Sequence, residues 1–263
     1  MRKYLYIFKS EMMTSLQYVR NILINSIGYF IMIFIFFNLW NYIYDDPTKI
    51  IKGYSKSQMI WYVILTEMLW NMASGRKFCQ RIIEDVKSGN IAYNINKPYS
   101  YIGYLVFSHF GSMVIKAVIY LVIGLALGNV MIGNMPNLNL LQVLIIFVAG
   151  VIGTTINLLL ITCVGLFSFV IEDSAPLYWV YSKIMLILGT IFPIEFFPSV
   201  IQPIIKMSPI YVINYGPAKL FVDFSYEKAV KIIIAQIIYL AIAYFLSSRL
   251  YKKGVKRLNV NGG

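Results

Sequence analysis

Six stretches of this chain stay apolar for seventeen residues or more, and no other feature limits its fold so strongly. They run approximately Ile22–Tyr44, Gln58–Gly75, Tyr104–Gly128, Leu140–Val170, Leu177–Pro193 and Ala229–Leu250. A helix crossing a bilayer needs about 20 mostly apolar residues. Inside hydrocarbon every backbone N–H and C=O must be bonded within the protein, which for runs of this length means helix. Composition agrees: 59% of the 263 residues are hydrophobic and 13% are charged, against about 25% charged in an ordinary soluble domain. Such a chain cannot coat a water-facing surface. That excludes a soluble globular enzyme, a disordered protein and a soluble nucleic-acid binder. The expected fold class is an all-α integral membrane protein with six transmembrane helices. Every segment between the runs is shorter than the roughly 50 residues of a separate domain, so residues 1–263 read as a single transmembrane domain.

The net charge of +12 also fits a membrane protein, because cytoplasmic loops collect Lys and Arg. With the N-terminus inside, fifteen basic residues fall on the cytoplasmic side, from Arg2 and Lys3 through Arg76, Lys77 and Arg81 to Lys256 and Arg257. Seven fall outside, Lys49, Lys52, Lys56, Lys206, Lys219, Lys228 and Lys231, and Lys116 lies within a span. Both termini are therefore expected to be cytoplasmic, in a multi-pass protein of the cell membrane. Trp40, Tyr42, Tyr44, Trp61 and Tyr62 mark outer span ends, and Tyr99, Tyr101, Tyr104, Tyr178, Trp179 and Tyr181 inner ones, as amphipathic rings prefer the headgroup level. The first run begins too late and is too long for a cleaved signal peptide, and no small-residue cleavage site follows it.

Three segments outside the spans carry information. In residues 1–21, Leu5, Phe8, Met12, Leu16 and Val19 recur at helical steps, with Arg2, Lys3, Lys9 and Arg20 around them. This predicts an amphipathic helix lying in the membrane interface among membrane lipids, as a plain anchor or as a lever on a cytoplasmic partner. In residues 76–103, Ile82, Ile83 and Val86 form an apolar ridge flanked by Glu84, Asp85 and Lys87, and Ser88-Gly-Asn90 stops the helix. The ridge suits a groove on a soluble partner, or belongs to an ordinary connection. In residues 194–228, Pro198, Pro203, Pro209 and Pro217 interrupt pieces that remain apolar. Short apolar pieces between helix breakers suggest an outer re-entrant hairpin before the last span.

Polar groups inside the spans are few. Glu67 and Lys116 lie roughly 13 and 18 Å from the inner ends of their helices. A charge at such depth costs about 2.5–3.5 kcal/mol on the insertion scale, so the two are expected to pair, as a structural bridge or as a polar lining of a substrate path. Thr154, Asn157 and Thr162, with Gly150 and Gly165, lie on one face of the fourth span, for close packing or for a substrate-facing wall. Gly124 and Gly128 make a small-residue packing pair, and His109, Cys79 and Cys163 read as core residues. There is no metal-ligand cluster, no nucleophile motif and no catalytic residue to nominate. No glycine is followed by lysine, so there is no phosphate-cradling loop of the P-loop kind.

These features together resemble the membrane subunits of ABC transporters of the ABC-2 type, in the bacterial six-span branch with a separate ATPase subunit. The resemblance rests on the amphipathic N-terminal helix, on the loop from Ile83 to Tyr99 with its acidic pair, Gly and Lys97-Pro98, and on the outer hairpin with Ser208-Pro209 and Tyr215-Gly-Pro217. Asn94 and Asn96 stand where members often carry Arg or Leu. The resemblance implies a permease subunit of an ATP-driven exporter that forms the translocation path and is not itself an enzyme. It implies a P-loop ATPase partner, a second permease subunit (identical or related) and no nucleic acid. It implies no cofactor on this chain, ATP and Mg belonging to the ATPase. Ile82, Ile83, Glu84, Asp85, Val86 and Lys87 would then be the ATPase-coupling helix. The alternative is a non-transporting membrane accessory, immunity or scaffold protein of the same topology, which needs no ATPase.

Overall fold

The computed structural model describes residues 2–261 except 47, 96, 134 and 172, together with the side chains of these residues other than 95 and 258–261. Asn96 therefore lies outside the described residues. The chain forms eleven α-helices among the described residues: α1 (Arg2–Gln17), α2 (Val19–Ile43), α3 (Lys56–Ala73), α4 (Gly75–Lys87), α5 (Ile91–Ile95), α6 (Tyr101–Met131), α7 (Leu140–Leu166), α8 (Ala175–Leu186), α9 (Gln202–Lys206), α10 (Gly216–Val222) and α11 (Tyr226–Asn261). A two-stranded antiparallel hairpin, β1 (Ile50–Ile51) and β2 (Tyr54–Ser55), joins α2 to α3 with Ile50 opposite Ser55. Among the described residues this hairpin is the one piece of β structure, and the other regular elements are helical.

Local chemistry sets the helix ends. Ser55 and Asn139 accept from the backbone N–H of Gln58 and Gln142, whose side chains accept in return, giving capping boxes at α3 and α7. Ser100 caps α6 in the same sense through Gly103 N–H. Pro176 and Pro217 occupy the first turns of α8 and α10, where a missing N–H costs nothing.

The chain runs up and down. α1, the start of α2, the end of α3 and α4 share one end of the bundle; the hairpin and residues 194–222 share the other. Among the described residues four helical stretches are long and apolar enough to cross a membrane: Val19–Ile43, Tyr101–Met131, Leu140–Phe169 and Tyr226–Arg257. Two others, expected from sequence as spans two and five, are α3, which carries more polar residues, and the short Ala175–Ile191. α3 is largely enclosed: Met59, Trp61, Tyr62, Thr66 and Glu67 are all buried. Its lower apolarity follows from facing protein on most sides. In contrast α2, α6 and α11 turn rows of Ile, Leu, Phe and Val outward, as a lipid-facing surface requires.

Close helix contacts rely on missing side chains. A Cβ at Gly124 would stand 2.6 Å from the Tyr29 hydroxyl, and one at Gly128 would enter the Trp61 ring. At Gly153 a Cβ would meet the Ile213 carbonyl, and at Gly165 it would stand 2.8 Å from Ile82. Gly150, counted with the small face of α7 from sequence, has only Leu69 at 3.9 Å. Its neighbour Gly153 makes the tight approach, because it faces the π-helical turn Tyr211–Tyr215.

That turn and a second one, Ile187–Ile191, are coupled. Asn214 Nδ2 donates to Thr190 Oγ1 at 3.0 Å, and Thr66 Oγ1 donates to the Thr190 carbonyl at 2.9 Å. Gln236 Nε2 donates to the carbonyls of Ala149 and Val212 at 2.7 and 2.9 Å. The Thr190 and Val212 carbonyls lie in these π turns, where the i→i+5 pattern replaces the ordinary ladder, and Thr66 and Gln236 donate to them.

Candidate functional site

A cleft of about 1230 Å³ opens at the α4 end, between α2, the α3–α4 corner, α6, α7 and α8. Its shape starts from a backbone detail. Ser74 breaks α3 from α4 in the left-handed region, at φ 45° and ψ 42°, where a non-glycine residue is strained by roughly 1 kcal/mol or more. The next residue, Gly75, has no room for a Cβ, because the Tyr178 hydroxyl would stand 2.7 Å away. The corner is held from across the cleft: Lys116 Nζ on α6 donates to Ser74 Oγ at 2.9 Å.

Lys116 and Glu67 do not pair in the structure, contrary to the expectation from sequence. Glu67, 2% exposed, accepts from its own-helix neighbour Asn71 Nδ2 at 3.0 Å, and its other carboxylate oxygen has no hydrogen-bond partner. The reason is register: Lys116 reaches the corner about two helical turns beyond Glu67, where Ser74 offers an oxygen. Asn157, 3% exposed, lines the cleft and accepts from the Tyr181 hydroxyl at 2.6 Å. Thr154 and Thr162 are buried away from it, and Thr162 Oγ1 donates back to the Leu158 carbonyl at 2.8 Å. His109 is a core residue, with Nε2 2.5 Å from the Ala73 carbonyl and its ring against Phe78.

α4 turns its apolar ridge inward. Phe78, Cys79, Ile82, Ile83 and Val86 are buried, with Ile82 against Gly165 of α7. The predicted ridge for an outside groove is therefore covered by the chain itself, since the closest large apolar surface is its own bundle. Arg76, Lys77, Gln80, Glu84 and Lys87 are the exposed side. Asp85 is half-buried and accepts from the Tyr101 hydroxyl at 2.7 Å. Lys87 lies 3.3 Å from Asp173, whose carboxyl sits below its usual range because the Ala175 N–H, and then Lys87, favour the anion. Burial, with Asp173 nearby, pushes the Cys79 thiol up to about 12. The tip beyond α4 exposes one large ring: Tyr93 on α5 is 75% exposed, while Ile91 is fully buried.

A polar relay, not foreseen from sequence, joins α4 to α1. Arg81 Nη1 donates to Ser108 Oγ at 3.0 Å and Nη2 to the Tyr104 hydroxyl at 2.6 Å, and Ser108 Oγ donates to Glu11 Oε1 at 2.9 Å. Tyr4 stacks on Phe107, the Ser100 N–H donates to the Tyr4 hydroxyl, and Lys3 reaches the Pro98 carbonyl. α1 thus lies along α6 through Tyr4 and Glu11. Phe8 and Met12 are partly covered; Leu5, Lys9 and Leu16 are exposed.

At the opposite end Glu195 anchors residues 194–222. It accepts from Tyr54 and Tyr215 at 3.0 and 2.7 Å, and Lys219 Nζ stands 3.5 Å away, over the Tyr54 ring. Burial pushes the Tyr54 hydroxyl well above its ordinary range, so it stays a donor. The sequence signal was a lone carboxylate in the apolar run Pro193-Ile-Glu-Phe-Phe197.

Residues 29–262 match the family described as ABC-2 family transporter protein. No curated protein gives a significant match to the chain.

Proposed function

The chain belongs to the ABC-2 transporter family, and we propose that it is the permease subunit of an ATP-driven exporter, working with a separate P-loop ATPase. As a membrane-spanning component of an ABC transporter it supplies helices and not hydrolysis; ATP and Mg bind the partner, and this chain carries no cofactor. In this reading α2, α3, α6, α7, α8 with its π turn, and α11 make six crossings of the cell membrane as one domain, with both termini cytoplasmic. α1 is the interfacial helix, and residues 194–222 form the re-entrant outer segment. A second permease, identical or related, completes the path, and Glu67, Lys116 and Asn157 are its polar elements.

The elbow formed by α4 and α5 supports this reading best. It lies against the end of the bundle with charged residues outward and Tyr93 exposed on α5, while its apolar face packs on α7. An ATPase groove would take Tyr93 and read Glu84 and Lys87. Ile82, Ile83 and Val86 pass the motion inward, and Asp85 ties the elbow to α6. ATP-driven closure of the ATPases can shift the permeases only if the docked elbow differs between two packed states.

The test is reconstitution with the ATPase and a screen for compounds that stimulate hydrolysis. Glu84→Lys with Tyr93→Ala should uncouple hydrolysis from transport by about tenfold or more while thermal stability is kept, in line with interface anchors worth about 2 kcal/mol or more. Normal pumping by that double variant would overturn the coupling assignment.

A further inference from the structure

We infer that the cleft binds an anionic, phosphate-bearing headgroup, with Lys116 as its deepest cation; this rests on the permease reading and names the substrate class of that path. Among the described residues five cations line the cleft, Arg76, Lys77, Lys87, Lys116 and Lys183, against two carboxylates, Glu84 and Asp173. One of the carboxylates is already taken, by Lys87. Among the described residues no carboxylate oxygen lies within 4.0 Å of Arg76, Lys77, Lys116 or Lys183. The contact of Lys116 is the neutral Ser74 hydroxyl. An ammonium well inside a span is costly unless something anionic meets it, and Glu67, the acid expected to serve, bonds Asn71 on its own helix and makes no ion pair with Lys116.

The remaining wall suits the rest of such a molecule. Asn25, Asn71 and Asn157 offer hydrogen bonds, while Ile22, Tyr120 and Trp179 offer apolar and aromatic surface. The volume exceeds the roughly 300–1,000 Å³ of drug-sized pockets, which leaves space for a headgroup with the start of its acyl chains. Lys116 and Ser74 then act as a pair: the headgroup takes the ammonium, and the strained Ser74 corner loses its brace.

The probe is brominated phosphatidylglycerol, compared with brominated phosphatidylcholine in otherwise neutral vesicles holding the full chain. Trp70 and Trp179 line the cleft, and Trp40 and Trp61 are buried elsewhere, so tryptophan quenching reports occupancy. Wild type should quench at a lower fraction of the anionic lipid. Each basic residue near an anionic lipid surface contributes about fivefold in association, so Lys116→Gln should lose about that factor. Lys183→Gln, at the mouth, gives a second reading should Lys116→Gln fold poorly. Lys116→Arg should keep the preference, and Lys253→Gln, exposed on α11, should leave it unchanged. Inorganic phosphate separates the sources: an emission change with phosphate alone, dependent on Lys116, assigns the site to a free phosphate compound. Equal loss in Lys253→Gln and Lys116→Gln, or no lipid preference and no phosphate response, overturns the inference. ATPase stimulation is measured separately, so failure of coupling and failure of binding are told apart.

Discussion

Glu67 shows how much depends on single side chains here. Its carboxylate is enclosed and half satisfied, and leaving a buried polar atom unpaired costs about 1–3 kcal/mol. Glu67→Gln keeps an acceptor for Asn71 and removes the charge, so its thermal midpoint in detergent should match or exceed wild type. A loss of about 2 kcal/mol or more would mean that the charge is needed. The glycines give a paired prediction. Gly128→Ala pushes a methyl into the Trp61 ring and should cost about 1–3 kcal/mol as overpacking. Gly28→Ala has open space within 4 Å and should gain about 0.5–1 kcal/mol from lower unfolded-state freedom. Gly124 and Gly128 were legible in the sequence as a packing pair. The partner of Lys116 was not, because a serine held in the left-handed region has no signature in residue spacing.

At the level of elements, hydropathy located the helices and left their partners open. α2, α6, α7 and α11 stand close to where their apolar runs place them, because lipid-facing and buried helices alike must exclude charge. The ridge of α4 was visible as a pattern, but which surface covers it depends on how α3 turns at Ser74. The junction of α10 and α11 carries a pH prediction. Asp223 is partly desolvated, which raises its pKa, but hydrogen bonds from Lys228 and Lys219 outweigh this and hold it below the ordinary value of 3.8. A carboxyl depressed in the folded state contributes fully above its unfolded value, and the contribution is lost as pH falls through the lower folded value. Thermal midpoints measured from pH 6 down to about 3 should therefore fall in wild type and fall less in Asp223→Asn. The difference should be about 0.2–1 kcal/mol, as for other partly exposed pairs. Equal acid sensitivity in both proteins would show that the pair contributes nothing.

Across the whole molecule, the up-and-down course fixes which groups share an end. Tyr93 and Val200, 75% and 79% exposed, lie at opposite ends, and both native cysteines are buried. In intact cells Val200→Cys should react with an impermeant maleimide from outside, and Tyr93→Cys only after the membrane is opened. Reaction of both from one side would refute the proposed topology. The contact of Ile82 with Gly165 has a mechanical consequence. Where one surface has no side chain to bend, a load cannot be absorbed by rotamer changes at that point. A push on α4 would then pass straight to the backbone at the end of α7, with only the Ile82 side chain left to yield.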